Sequence, residues 1–328
     1  MTLLRALHLL LPVRILPFLL PVSAAIAQTD ASALQWLQRI YSATQKLSYT
    51  GTFVYQQGQQ VETSRITHLV DASGPHEKIE SLDGVPREII RNRDEVVCYL
   101  PATMTVKIDK QPGWRSFPAI LPEQLKGLSE NYRVKKAEVE RVAGYDCQVI
   151  VLEPKDRMRY GHRLWADLNT GMLLKAKTLD DRNVVIEQFT FTQLRVGGPI
   201  DRDKVKSRFA RPGRDWNIEN SEATRVSLAD AGWIIKSMPP GFRTVAELTR
   251  TLGGTSGVGH IVVSDGLAAV SVFIEPVASK QRTPQPGLVR QGAINVYMRP
   301  VGGYWVTVVG ETPPESVKYI GDAVEYRK

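Results

Sequence analysis

From Tyr49 onward the polarity of the chain alternates with a period of two, and that alternation limits the fold more than any other feature. Thr50, Thr52 and Val54, then Val61, Thr63 and Arg65, alternate with neighbours of the other kind, and Gln57-Gly58 offers a turn between them. Period two sends successive side chains to opposite faces of a strand, so each run must pair with others and bury one face. Further strands are predicted at His76 to Leu82, Arg87 to Arg91, Glu95 to Leu100 and Thr105 to Ile108, punctuated by Asp83-Gly84 and Asn92-Arg93-Asp94. A short helix is expected from Pro122, carrying Leu125 and Leu128. Strands follow at Tyr132 to Val142, Cys147 to Leu152, Tyr160 to Asp167, Met172 to Leu179 and Val184 to Leu194. Their turns are Asn169-Thr170-Gly171 and Asp180-Asp181-Arg182-Asn183.

Ahead of these strands, Thr29 to Lys46 has helical spacing. Ala33, Leu37, Ile40, Thr44 and Leu47 form one stripe, with Asp30 as the expected cap. About eleven strands with short turns, one long helix and one short one predict a single curved antiparallel sheet with helices against its concave face. Gly197-Gly198-Pro199 ends the pattern, and residues 201–228 read as a basic inter-domain connection with short ordered pieces near Phe209 and Trp216. A second domain, 229–328, is expected to hold strands at Trp233 to Lys236, Phe242 to Leu252, His260 to Ser264, Leu267 to Glu275, Ala293 to Met298 and Tyr304 to Val309. Asp265-Gly266 and Gly302-Gly303 are its hairpin turns, and Pro314 to Tyr326 reads as a closing helix. The fold class is therefore α+β, with a larger unit over 28–200 and a smaller antiparallel sheet with a helix behind it.

Residues 1–27 read as an export signal. Arg5 and Arg14 bracket an apolar stretch, a second runs from Ile15 to Val22, and Ala25-Ile26-Ala27 has the small-x-small form that signal peptidase reads. Cleavage is expected between Ala27 and Gln28. Arg14 interrupts the apolar run, which then falls short of the ~18 residues that span a bilayer. Cleavage lowers the formal charge from +8 to +6 by removing Arg5 and Arg14. Outside the cytoplasm a basic chain meets anionic lipid or envelope protein, not nucleic acid, so the periplasm is the expected location.

Nothing in the sequence spells out catalysis. There is no Gly-x-Ser-x-Gly, Ser-x-x-Lys, His-Glu-x-x-His or Cys-x-x-Cys. Gly253 to Gly259 lacks the lysine of a phosphate loop and precedes a strand, so it reads as a hairpin loop. His68, His76, His162 and His260 stand too far apart in sequence to announce a metal site, and neither metal nor cofactor is expected. Two cysteines exclude a disulfide-rich scaffold. Cys98 alternates with Val96 and Leu100, and Cys147 with Val149 and Val151, so both face apolar surroundings. Buried free thiols and a bridge are both open, the bridge requiring Cα atoms within ~7 Å. The tryptophans have two readings as well. They close cores, or Trp36 and Ile40 of the first helix, with Phe53, Tyr55 and Leu164 of the sheet, line a lipid-sized hollow. In the connection, Arg202, Lys204, Lys206 and Arg208 alternate, so an extended chain would aim all four one way, as solvated linker or towards phosphates or acidic partner residues.

Several fragments, in order along the chain, resemble the RseB/MucB regulators of the envelope-stress sigma factor. They are Leu82-Asp83-Gly84-Val85-Pro86-Arg87-Glu88-Ile89-Ile90, Trp165-Ala166-Asp167 with Met172-Leu173-Leu174, and Glu187-Gln188-Phe189. In the second domain they are Met238-Pro239-Pro240-Gly241-Phe242, Ser264-Asp265-Gly266-Leu267 and Val309-Gly310-Glu311-Thr312-Pro313-Pro314. The resemblance implies a first domain shaped like the lipoprotein carriers LolA and LolB, an unclosed antiparallel β-barrel with helices in its hollow. It implies a periplasmic, non-enzymatic protein that binds the periplasmic part of an RseA/MucA-like anti-sigma factor and keeps a site-1 protease, DegS or AlgW, from cutting it. Lipid A, lipopolysaccharide or another acyl ligand would release the block. A lipid or lipoprotein carrier is the alternative reading, and self-association into a homo-oligomer stays open.

Overall fold

A computed structural model describes residues 31–92, 95–110, 121, 125, 127–210, 213, 215–221, 223–252, 255–277 and 285–327. Ala27, Gln28, Asp30, Trp114 and Pro122 lie outside the described residues. Helix α1 (Ala31–Lys46) buries Ala33, Leu37, Ile40 and Thr44 of the predicted stripe together with Ala43, while Leu47 lies past its end and is half-buried. Six strands follow: β1 (Tyr49–Gln57), β2 (Gln60–Asp71), β3 (Gly74–Ser81), β4 (Glu88–Arg91), β5 (Val96–Leu100) and β6 (Thr105–Asp109). After the one-turn helix α2 (Leu128–Asn131) come β7 (Tyr132–Val142), β8 (Tyr145–Pro154), β9 (Gly161–Asp167), β10 (Leu173–Leu179) and β11 (Val185–Val196).

These eleven strands and β12 (Asn217–Ser221) form one twelve-stranded sheet in the order β12-β6-β5-β4-β3-β2-β1-β11-β10-β9-β8-β7. Every pairing is antiparallel except β12 with β6, and the sheet ends at two different edge strands, so it does not close into a barrel. It does curl. The Tyr145 hydroxyl at the start of β8 donates to the Leu194 carbonyl of β11 at 2.9 Å, although β9 and β10 lie between those strands. Three strand spacings on a flat sheet measure ~14 Å, beyond the reach of a tyrosine, so the sheet folds over on itself there. Gly51 permits the tight fill inside the curl, because a Cβ at that position would sit 2.8 Å from the Phe191 ring.

The connection departs from the sequence reading. It is not an extended strand through 202–208. Asp201 accepts from the Asp203 amide and starts a 3-10 turn over Arg202–Val205, which buries Val205 and Ser207 against the sheet. The chain then supplies β12 to the first sheet and β13 (Ala223–Arg225) to the second, crossing between them within two residues. The second sheet adds β15 (Arg243–Leu252), β16 (Thr255–Ser264), β17 (Ala269–Pro276), β18 (Gly287–Gln291), β19 (Ile294–Val301) and β20 (Tyr304–Gly310), after the short β14 (Trp233–Ile235). Its order is β13-β15-β16-β17-β20-β19-β18, with α3 (Pro314–Asp322) packed on β19 and β20. The predicted closing helix is shorter than expected. It stops at Asp322, and β21 (Val324–Tyr326) pairs with β14 instead, because the Tyr326 ring packs 4.9 Å from Trp233. The β15–β16 ladder extends to the Leu252–Thr255 pair, so Thr255 to Gly259 belong to a strand, and Gly253 and Gly254 lie outside the described residues.

Candidate functional site

Strand register decides which predicted residues meet. Tyr55, Phe189, Ala176, Leu164 and Ile150 stand opposite one another across β1, β11, β10, β9 and β8, so Tyr55 and Leu164 share one face of the sheet. Phe53, two residues before Tyr55, faces the same way and meets Phe191 edge-on at 5.9 Å. Leu37 and Ile40 of α1 are buried in the same core as Phe53 and Leu164. The five candidates are thus brought together, but as packing: Ile40, Phe53 and Leu164 are 1%, 4% and 0% exposed. Trp36 is half-buried, with the Arg39 guanidinium 4.5 Å above its ring and bonded to the Leu168 and Asn169 carbonyls. Tyr55 donates to Glu187 at 2.9 Å.

The same face stays partly open towards the other side of the sheet. Ile66, Ile79, Ile89 and Cys98 lie directly opposite one another across β2, β3, β4 and β5. Ile66 is buried, whereas the next three are half-buried, a row that extends over ~14 Å at ordinary strand spacing. Alongside it runs a polar row, Tyr49, His68, Glu77 and Arg91, again in direct register. Tyr49 stacks on His68 at 5.0 Å, His68 Nδ1 lies 2.9 Å from the Leu47 carbonyl, and Arg91 pairs with Glu77. Burial pushes the Glu77 carboxyl up to about 7, against the pull of Arg91, and lowers the His68 imidazole. Cys98 and Cys147 are free thiols, and seven strands of the sheet order separate their strands.

The opposite face carries the connection. Glu88, with no exposure, takes hydrogen bonds from the Ser207 hydroxyl at 2.6 Å and the Arg208 amide at 3.1 Å, and ion pairs from Arg208 and Lys78. Phe209 lies between Tyr99 and Trp216, ring centroids 6.4 and 5.8 Å away. Of the four predicted contact residues, Arg202 bonds Ser73 and pairs with Asp71, Lys206 pairs with Asp203, Arg208 holds Glu88, and Lys204 is exposed. The shared direction expected of them is lost to the 3-10 turn.

Sequence reasoning missed the seam between the two sheets. The Arg159 side chain, wholly buried between β8 and β9, bonds both carboxylate oxygens of Asp156 at 3.0 Å and, across the seam, Asp265 and the Pro240 carbonyl. Its guanidinium lies 5.7 Å from the Tyr132 ring centroid and 5.3 Å from that of Phe242. Burial opposes its charge, but Asp156 and Asp265 more than offset this and raise its pKa above the ordinary value. Nearby, the Ser316 hydroxyl donates to the Met158 carbonyl, and Asn295 donates to Tyr160 at 3.0 Å and to the Thr312 carbonyl at 2.8 Å. Gly241, at φ +77°, lies against the Asn131 side chain, where a Cβ would come within 2.2 Å of its nitrogen. Across the same seam Gln57 presses on Gly292, and Glu187 feels the charge of Glu311. Burial first, then Glu311, pushes Glu187 up to about 7, with the Tyr55 bond holding it down. The Asp265-Gly266 turn was the one local signal, and it says nothing of a partner 106 residues away.

The model of the MucB/RseB N-terminal domain matches residues 32–209, and that of the MucB/RseB C-terminal domain matches 227–325. The sigma factor AlgU regulatory protein MucB of Pseudomonas aeruginosa is 32% identical over 305 residues, covering 88% of this chain and 90% of its own. The sigma-E factor regulatory protein RseB of Haemophilus influenzae is 26% identical over 311 residues, covering 93% and 95%. Among solved structures, the Pseudomonas aeruginosa MucA/MucB complex superposes with a TM-score of 0.70 at 26% identity, over 91% of this chain and 100% of the other. MucB in complex with MucA(peri) gives 0.69 at 26% identity, over 90% and 99%.

Proposed function

The chain belongs to the MucB/RseB family, and from that premise we propose that it is a non-enzymatic regulator that binds the periplasmic part of an RseA/MucA-like membrane anti-sigma factor. Binding shields that segment from site-1 proteolysis, and an acyl ligand of the lipopolysaccharide type releases it. The observation that carries this is the likeness to MucB, which runs through both sheets and includes a MucB solved with MucA(peri). The seam adds physical support. A surface shared by two sheets recognises one partner only while they hold one relative position, and the sealed Arg159–Asp265 pair and the joint β12–β13 crossing favour that. The leader ending in Ala25-Ile26-Ala27 supports a periplasmic site of action.

The half-buried row Ile79, Ile89 and Cys98 is the surface that suits an acyl chain, next to the packed core that holds Phe53 and Leu164. Burying ten methylenes contributes roughly 8 kcal/mol before ordering costs, compatible with micromolar binding. To act as a signal, the lipid must prefer the conformation that binds the partner poorly, and ~1.4 kcal/mol of such preference changes partner affinity tenfold. A lipid or lipoprotein carrier would use the same row, but the second sheet has no part in that reading.

The test is cleavage of the anti-sigma factor's periplasmic part by its site-1 protease, with this protein present and lipopolysaccharide fragments titrated in. Protection that lipid relieves is the expected result. No protection without lipid removes the regulator, and protection that bound lipid cannot relieve removes the switch alone.

A further inference from the structure

The two sheets have four edge strands, and three of them are blunted in ways that discourage pairing with another chain. β7 carries a register shift between Lys136 and Val139 and exposes Arg133, Glu138, Glu140 and Arg141. β12 is polar and its Glu219 pairs back to Lys107 of β6. β13 is three residues long. β18 carries a single exposed charge, Arg290, and none of the other devices. It is regular from Leu288 to Gln291 after Gly287 at φ +142°, pairs with β19 without a shift, and exposes Leu288 by 46% and Val289 by 55%.

Its hydrogen-bonding capacity follows from the hairpin. Gln291 and Ile294 flank the two-residue turn Gly292-Ala293, with Gly292 at φ +59°. In such a hairpin the flanking residues exchange both backbone bonds and the pairs then alternate. Gln291, Val289 and Gly287 therefore bond β19, while the amides and carbonyls of Leu288 and Arg290 point to the free edge. An acyl chain or a helix would leave those groups without partners, whereas an extended backbone satisfies them in register. A second copy fits poorly, since a pair centred on Val289 sets each Leu288 opposite the other Arg290. Five residues also fall well short of the ~1,200 Å² of a stable interface. The Arg290 Nε donates to the Gly292 carbonyl at 3.3 Å, which holds this cation along the strand, and Gly292 abuts Gln57 of the first sheet.

We propose that the free edge of β18 is a strand-addition site for an extended segment of the polypeptide partner, with aliphatic side chains on both faces and a carboxylate opposite Arg290. This rests on the regulator reading and names how part of the partner is held. A strand laid there lies beside the junction of the two sheets.

The experiment is amide hydrogen exchange on the full mature chain, free and saturated with the purified periplasmic part of an RseA/MucA-like anti-sigma factor. Exchange at Leu288 and Arg290 should slow at least about tenfold in the complex, equivalent to ~1.4 kcal/mol of protection. Leu288→Pro removes an outward donor at a position where an edge strand tolerates proline, and should weaken the complex by about tenfold or more. Leu288→Thr keeps the amide and should bind more tightly than the proline variant. Thermal unfolding of both variants verifies the fold, and the exchange result on the unaltered chain needs no variant. A complex that forms with both amides unprotected overturns strand addition and leaves the regulator standing. No complex at all overturns the regulator and this site with it. Protection that rises with protein concentration in the absence of partner assigns the edge to self-association and overturns the partner.

Discussion

The seam between the sheets holds two charged contacts built on opposite electrostatic logic. At one, Arg159 lies wholly buried between Asp156 and Asp265, each charge answered by another and by the Pro240 carbonyl. At the other, Glu187 of the first sheet faces the like charge of Glu311 from the second, tempered by the Tyr55 hydroxyl. Among the described residues neither of these two carboxylates has a cation within ion-pair distance. A buried pair contributes little net stability but is costly to break from one side, so the Arg159 contact fixes position. A carboxylate already pushed up to about 7 yields to pH, so the Glu187 contact is the adjustable one.

Breaking the fixed contact should have the largest effect. Arg159→Ala strands Asp265, whose side chain has no exposure, and should cost about 3–5 kcal/mol in urea unfolding. If the loss is below about 1 kcal/mol, the seam is not sealed as described. The strap over the opposite face is a third junction and should rank second. Glu88→Gln keeps the shape but weakens the bonds from Ser207, Arg208 and Lys78, with an expected loss of about 1–3 kcal/mol. Limited proteolysis within 201–210 should rise at the same time, and an unchanged cleavage pattern would mean that packing by Phe209 and Val205 holds the strap alone.

The adjustable contact should give the smallest effect and a signature in pH. Glu187 titrates at about 7 in the folded chain against an ordinary 4.5, so between those values the folded state binds more protons than the unfolded one. Its contribution to stability is then full below about 4.5 and is lost as pH rises through about 7. The shift from 4.5 to about 7 would carry ~3 kcal/mol in full, and because Glu187 shares it with Glu311, Glu187→Gln should flatten that part of the stability curve by a fraction of that. A slope unchanged by the substitution would assign it to Glu77, the other carboxyl near 7.

What the sequence made legible follows the same division. Period-two alternation located β7 at Tyr132–Val142 and the Asp180 to Asn183 turn ahead of β11, because one buried face leaves its mark on every second residue. β12 left no such mark, since Asn217 to Glu219 are exposed on both faces and its pairing with β6 is a matter of backbone. The alternating cations at 202–208 misled for a related reason. Asp201 closes a 3-10 turn there, and the buried Val205 and Ser207 orient the segment rather than its charges. The hollow candidates Ile40, Phe53 and Leu164 meet in one core, and alternation cannot distinguish a residue that lines a space from one that fills it. Arg159 was invisible because its partner lies 106 residues away and both sit in turns.

Partner recognition by two sheets acting as one body is the claim on which the rest depends, and Asp265→Asn tests it most directly. That change keeps the side-chain shape and removes the charge that answers Arg159 across the seam. Calorimetric titration of the periplasmic part of an RseA/MucA-like anti-sigma factor into the unaltered chain and this variant, both verified as folded, compares their affinities. The account predicts binding by the unaltered chain and about tenfold weaker binding by Asp265→Asn, the equivalent of ~1.4 kcal/mol. Equal affinities would contradict it.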